Sequence, residues 1–288
     1  MTDTTPLTGA ARAAALGDEA QGIAERLEQE HGVRPRLVVV VATEDESTAW
    51  YVRSITRAAA RAGIACDTVR LPSDAEAAAI RTRLAGLSAD PGVHGVILQT
   101  PLPPGTSAAD LAGAIAPEKD VDGANPLSLG RLAAGLPAFA PATAEAVVAL
   151  LDAHGIGIAG RGVAVVGRST VVGKPLAHLL LDRDATVTVC HSRTADLAAV
   201  TRTADIVVAA AGRAGLITAA HLAPGAVVVD VGTNPTEDGG LTGDVDAESV
   251  AGVAAALSPV PGGIGPVTTA LLLQHTALAA QRAVGAHP

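Results

Sequence analysis

RGVAVVGRSTVVGKP, residues 161–175, is the stretch on which the fold turns. Val163 to Val166 are apolar or small and read as a short buried strand. Gly167 then opens a turn that holds Ser169 and Gly173, and a helix is expected from about Val171. Glycines let a backbone approach a pyrophosphate closely, and a helix start aims free N–H groups and a positive dipole end at it. The two glycines stand six apart with a serine two after the first, which is not the G-x-G-x-x-G spacing. Taken alone, the stretch fits a phosphate cradle and a ligand-free strand-to-helix turn equally well.

Beyond the turn the alternation continues. Strands are predicted over 186–190, 205–209 and 226–231, with helices over about 172–182 and 195–202, the order of a dinucleotide-binding domain. Before it, strands over 37–42, 65–71 and 93–99 alternate with helices over 47–62, 73–87 and 106–115, after an opening helix over 7–30. Thr143 is placed to cap a helix running to His154. PVPGGIGP at 259–266 is too rich in Gly and Pro for either element, and a last helix is expected from Pro266. The pattern predicts two α/β domains around a cleft, each with a mainly parallel sheet. The first is assigned residues 1–141 plus 267–288, so that the terminal helix returns to it, and the Rossmann-type second residues 142–266.

Composition narrows the function classes. The 288 residues are 49% hydrophobic but only 1% aromatic, so Ala, Val, Leu and Ile fill the cores, and Trp50, Tyr51 and Phe139 stand out. A net charge of -9 and the lack of a basic run argue against nucleic acid as a partner. The uncharged run from Ser249 to His275 carries Pro259, Pro261 and Pro266, so it is not read as a membrane helix. Asp3 near the start and the lack of a basic, then apolar, leader predict a cytoplasmic protein. Cys66 and Cys190 are expected as two buried thiols rather than a disulfide or a metal site. Of twenty Lys and Arg residues only Lys119 and Lys174 are lysines, which suggests a drift of Lys to Arg wherever a surface charge suffices.

In parallel α/β sheets ligands bind at the carboxyl ends of strands. The strand VTVC ends in His191, Ser192 and Arg193, with no acidic residue to hold a ribose 2'-hydroxyl. Ser192 and Arg193, with Arg168 from the first turn, are donors suited to a 2'-phosphate, which predicts NADP rather than NAD. In the first half, Tyr51 and Ile55 are four apart on one helix and share a face. Gln99 ends the strand VILQ, and KDVDG at 119–123 offers Asp120 and Asp122, one to cap the backbone and one to face a ligand. Each alone has a bland alternative: a half-buried aromatic for Tyr51, an Asx turn for Asp122.

Together these segments resemble the methylenetetrahydrofolate dehydrogenase/cyclohydrolase family. The resemblance is carried by S-x-x-x-YV at Ser47 to Val52, QTPLP from Gln99, PEKDVDG from Pro117, GRSTVVGKP from Gly167, CHSRT from Cys190, DVG-x-N from Asp230, GDV from Gly243 and PVPGGIGP-x-T from Pro259. It implies a homodimer of two-domain subunits with folate in the cleft and NADP on the second domain. By that analogy Tyr51 stacks on the pterin, Gln99 hydrogen-bonds near the reacting centre and Asp122 holds the amino-pyrimidine edge. Pro101, Gly262, Gly263 and Pro266 line the folate side, and Gly167, Arg168, Ser169, Gly173, His191, Ser192 and Thr233 contact NADP. The implied chemistry is hydride transfer from 5,10-methylenetetrahydrofolate to NADP, then hydrolysis of the methenyl product to 10-formyltetrahydrofolate, without a metal.

The chain departs from the family pattern where a catalytic lysine stands four residues after the tyrosine: here it is Ile55. Drift of Lys would have left arginine. Asn125 and Ser128 replace the family's histidine and asparagine, and P-C-T-P-x-G appears as PATAEA. Hydride transfer chiefly needs two carbons held in contact, whereas ring opening needs water activation, to which an acid or base contributes roughly a hundred- to ten-thousand-fold. The expectation is therefore a divergent member, an NADP-dependent dehydrogenase with cyclohydrolase activity lost or strongly reduced. A dehydrogenase for another imine- or aminal-like substrate and a non-catalytic NADP- or folate-binding protein are the alternatives, ranked in that order.

Overall fold

The computed structural model describes residues 3–236 and 239–285. In chain order the elements are β1 (Thr5–Pro6), α1 (Ala10–His31), β2 (Arg36–Val41), α2 (Glu46–Arg61), β3 (Ala65–Arg70), α3 (Ala77–Ala89), β4 (Gly95–Gln99), α4 (Ala108–Ala112), α5 (Pro126–Ala133) and α6 (Ala142–Ala153). There follow β5 (Gly162–Val166), α7 (Gly173–Leu181), β6 (Thr186–Cys190), α8 (Leu197–Thr201), β7 (Ile206–Ala209), β8 (Val227–Asp230), β9 (Asn234–Pro235), β10 (Leu241–Thr242), α9 (Ala247–Val250), β11 (Ala256–Leu257) and α10 (Ile264–Ala283).

The chain divides into two compact units, Ala14–Ala142 with Thr269–Pro288, and Met1–Ala13 with Thr143–Thr268. The first holds a parallel sheet in the order β3-β2-β4. RLVVVV in β2 is the central strand, buried on both faces, which is why it reads as an unbroken apolar run. Val38 and Val40 point to one face, where they pack with Ile80, Leu84 and Leu87 of α3. The unit is completed by α10: His275 reaches the Val121 carbonyl and Gln274 donates to Glu19 of α1.

The second unit carries a six-stranded parallel sheet in the order β1-β11-β8-β7-β5-β6. The chain leaves β5 for β6 on one side and returns to β7 on the other, so the strand order reverses beside β5. That is where doubly wound sheets bind ligands.

Several expectations are corrected. The opening helix starts at Ala10, not Leu7, because Thr5 and Pro6 pair in parallel with Ala256 and Leu257. This pairing also places the residues up to Ala13 with the second unit, whereas the sequence had assigned them to the first domain. Thr143 is inside the first turn of α6 and is not its cap. The last helix starts at Ile264, which leaves Pro266 within the first turn, where no backbone N–H is required. Cys66 is only half-buried, because β3 is an edge strand; Cys190 is buried, and both are free thiols. Short elements such as α5, β1 and β11 were not read from the sequence. Among the described residues no helix is long and apolar enough to cross a membrane.

Candidate functional site

In the second unit the residues after β5 form a tight turn from strand to helix. Gly167 has φ 140°, and a Cβ there would lie 2.1 Å from the Ala210 carbonyl oxygen at the end of β7. A Cβ on Gly173 would lie 2.1 Å from the Gly167 carbonyl oxygen, so the turn closes on itself through two glycines. Ser169 Oγ accepts from Val172 N at 3.1 Å, and the Ser169 carbonyl accepts from Lys174 N at 3.0 Å, so the turn leads straight into α7. Ser169 therefore braces the loop, while Arg168 stays exposed.

Next to this turn, His191 follows β6 as a half-buried residue whose backbone N donates to Thr194 Oγ1 at 2.9 Å. Its Nδ1 accepts from Arg193 N at 3.2 Å. Ser192, Arg193 and, after β8, Thr233 are exposed. The donors read as suited to a 2'-phosphate thus stand uncommitted at the carboxyl ends of neighbouring strands.

Two carboxylates to which the sequence reading gave no role organise these loops. Asp244 accepts from the backbone N–H groups of Ala211, Gly212 and Arg213 at 2.6, 2.8 and 2.8 Å, and from Asn234 Nδ2 at 2.9 Å. Asp230 accepts from Gly232, Asp244 and Val245 N–H groups, each at 2.9 Å. Burial raises the Asp230 pKa to about 6, against the pull of those three bonds. The signal was present in DVG-x-N and GDV, but only the fold shows that these two motifs interlock.

In the first unit, Gln99 ends β4 in register with Val41 of β2, and Pro101 follows exposed, after a cis Thr100–Pro101 bond. Gln99 Nε2 donates to the Thr100 carbonyl at 3.0 Å. Helix α2 begins at the same sheet edge: Asp45 Oδ2 accepts from Thr48 N at 2.8 Å as its cap, and Thr48 Oγ1 donates to the Thr100 carbonyl at 3.4 Å. Tyr51, one turn on, is half-buried, and the Thr269 hydroxyl of α10 lies within reach of its phenol. Burial, then the charge of Asp122, pushes the phenol far above its ordinary value, so Tyr51 serves as a neutral aromatic surface and hydrogen-bond donor rather than a base.

Ile55 is fully buried, in one stripe with Val52 and Ala59. It shares a helix with Tyr51 but belongs to the core.

KDVDG is laid along β4 by a bond from Val96 N to the Lys119 carbonyl at 2.9 Å. The two aspartates then separate as expected. Asp120 is the capping residue, its carboxylate accepting from Ala124 N and Asn125 N, each at 2.9 Å. Asp122 is only half-buried, and burial together with the charge of Asp120 raises its pKa to about 7, while His275 acts in the opposite sense. Asn125 Oδ1 caps α5 through Leu127 N at 2.7 Å, and its Nδ2 donates to the Ile115 carbonyl at 2.7 Å. Ser128 is buried beside Asp120 and favours its ionised form, although its hydroxyl forms no hydrogen bond of ordinary geometry. Both departures from the family pattern thus serve the KDVDG turn.

The structure brings Tyr51, Asp122, Asp120, Thr269 and His275 into one electrostatic cluster. Gly262, Gly263 and Pro266 are not part of that unit. They belong to the second, where Gly9 N donates to the Gly262 carbonyl and Gly263 N to the Pro259 carbonyl.

Residues 7–122 match the family model described as the tetrahydrofolate dehydrogenase/cyclohydrolase catalytic domain, and residues 141–284 match its NAD(P)-binding domain. The chain belongs to the tetrahydrofolate dehydrogenase/cyclohydrolase family. It is 69% identical over 251 residues to bifunctional protein FolD 1 of Saccharopolyspora erythraea, covering 87% of this chain and 86% of that relative. It is 61% identical over 280 residues to bifunctional protein FolD of Nocardia farcinica, covering 97% and 99%. Among solved structures it resembles FolD of Trypanosoma brucei, complexed with NADP cofactor and inhibitor, with a TM-score of 0.93 and 37% identity over 99% of each chain. The turn at Gly167 lies within the stretch that matches the NAD(P)-binding domain, and Tyr51 and Asp122 lie within the stretch that matches the catalytic domain. His275 and Asp244 are the residues that sequence reasoning missed.

Proposed function

We propose that the chain is an NADP-dependent 5,10-methylenetetrahydrofolate dehydrogenase whose methenyl hydrolysis is strongly reduced. NADP supplies the hydride acceptor when bound. The cradle at Gly167 and Gly173 and the helix start at α7 suit its pyrophosphate, and Arg168, Ser192 and Arg193 suit its 2'-phosphate. Tyr51 offers a ring face to the pterin, Gln99 an amide, and Asp122 a carboxylate for paired N–H donors.

The observation that carries the reading is Ile55, with no exposed surface, at the position of the family's lysine. No other amine replaces it from this unit: Lys119, the one further lysine outside the nucleotide unit, donates its Nζ to the Asp90 carbonyl at 2.5 Å. Water attack on the methenyl carbon releases a proton, and an aliphatic side chain cannot take it up.

Paired assays on the wild type and Ile55→Lys test this. The wild type is expected to reduce NADP with methylenetetrahydrofolate while methenyltetrahydrofolate persists. Ile55→Lys is expected to gain hydrolysis by roughly a hundredfold or more. Wild-type hydrolysis as fast as dehydrogenation would overturn the reading. The homodimer implied by the family resemblance belongs to the same proposal, and sedimentation velocity checks it.

A further inference from the structure

Helix α2 carries a stripe of positive charge that no step of the proposed reaction uses. Its buried face is formed by Val52, Ile55 and Ala59. On the other side stand Trp50, Arg53, Arg57 and Arg61, all exposed. At 3.6 residues per turn these four side chains span an arc of only about 80°. The arginines recur every fourth residue, so the stripe does not show as a basic run. Among the described residues none of the three has an ion-pair or hydrogen-bond partner, in a chain with 29 acidic residues against 20 basic ones. Carboxylates on the helix are confined to its start, Asp45 at the cap and Glu46 in the first turn. Asp67, on the strand β3 that packs against α2, is taken by Arg36 at 2.7 Å, and Arg70 of β3 adds another exposed cation. Trp50, the one tryptophan of the chain, is 58% exposed and adjoins Tyr51.

We propose that this stripe binds an oligo-γ-glutamyl tail on the folate substrate, with Trp50 against the aminobenzoyl linker and Arg53, Arg57 and Arg61 pairing with successive carboxylates. The inference rests on the proposed function, which sets the pterin on Tyr51. A folate is built in the same order as the stripe: a pterin, an aminobenzoyl ring, then glutamates. The spacing agrees as well. Residues four apart on a helix are separated by a rise of about 6 Å. A γ-linked glutamyl unit has five backbone bonds where an α-linked residue has three, so it extends by about 6 Å rather than about 3.5 Å. One carboxylate therefore arrives per arginine, and a guanidinium fork can take each through two hydrogen bonds. The acidic start of α2 repels the tail, which sends it from Trp50 towards Arg61. Exposed pairs are individually weak, so the gain is collective and falls with salt.

Trp50 is its own reporter. At low ionic strength, penta-γ-glutamate added without a pterin is expected to change the fluorescence of the wild-type chain saturably, and added salt should reverse the change. Penta-α-glutamate, with the same charges on the shorter repeat, should bind several-fold more weakly. In turnover, KM for pentaglutamyl methylenetetrahydrofolate is expected to lie about tenfold below that for the monoglutamate. The double variant Arg57→Gln/Arg61→Gln should bring this ratio close to one. Both positions are exposed and glutamine is as good a helix former as arginine, so the variant keeps the fold. Equal KM values in the wild type would overturn the proposal, as would a ratio that survives in the variant or equal binding of the two pentaglutamates. Saturable binding of the γ-linked peptide that is lost in the variant, without turnover of either folate, would uphold the stripe as a polycarboxylate site and overturn the substrate reading instead.

Discussion

Asp120 and Asp122 are separated by one residue, yet they do different work. Asp120 is committed to two backbone donors, while Asp122 faces partly open space with a pKa of about 7. The folded value lies above the unfolded one, so between them the native state binds the additional proton. The resulting cost to stability is complete above about pH 7 and is relieved as pH falls through that value. Asp122→Asn should therefore be more stable than the wild type at pH 8, by about 1 kcal/mol once the partly exposed side chain is allowed for, and this advantage should vanish near pH 4. Urea denaturation of both proteins at the two pH values measures it. A paired carboxylate turn was legible in KDVDG, including the split into one capping and one free residue. Which was which came only from the family resemblance, because the answer lies in the N–H groups of Ala124 and Asn125. Nor was His275 legible: its partner is 154 residues away, and nothing local marks a histidine on an apolar helix as anything but core.

At the scale of elements, the nucleotide turn rests on backbone packed against backbone. Gly173→Ala would set a methyl group against the Gly167 carbonyl, at a cost of about 1–3 kcal/mol if the turn is forced to move. NADP affinity, read by calorimetry, should fall at least tenfold with a lowered Tm, while the first unit's secondary structure is unchanged. Asp244→Ala should act on the same site from another side. It releases the N–H groups of Ala211, Gly212 and Arg213, so stability should fall by about 2 kcal/mol and NADP binding should weaken. Val-rich strands and Ala-rich helices were readable because burial on both faces and helical periodicity leave strong patterns; β6, over Thr186–Cys190, falls where its apolar alternation put it. The two-residue strands β1 and β11 have no such pattern. They exist because neighbours offer them unpaired edges, a property of the sheet rather than of their own residues.

At the scale of the molecule, each unit is built from discontinuous chain. The first takes residues from Thr269 onward, and the second takes those up to Ala13. A fragment of residues 14–142 lacks the α10 side chains that sit beside Val121 and Gly95, and is expected to show no cooperative thermal transition by circular dichroism. Supplying residues 269–285 as a peptide should restore one. The two-domain order was legible because the alternation of strand and helix restarts near residue 162. The terminal helix was expected in the first unit, but the leading strand was not expected in the second, since pairing between Thr5 and Ala256 leaves no trace in either segment. Thr5 and Ala256 are neighbours in the sheet, but in time they are far apart: a ribosome adding about 5–20 residues per second places them at least ten seconds from each other. The leading strand must wait, unpaired, for an edge not yet synthesised, and the surroundings of Val121 cannot close until α10 has emerged.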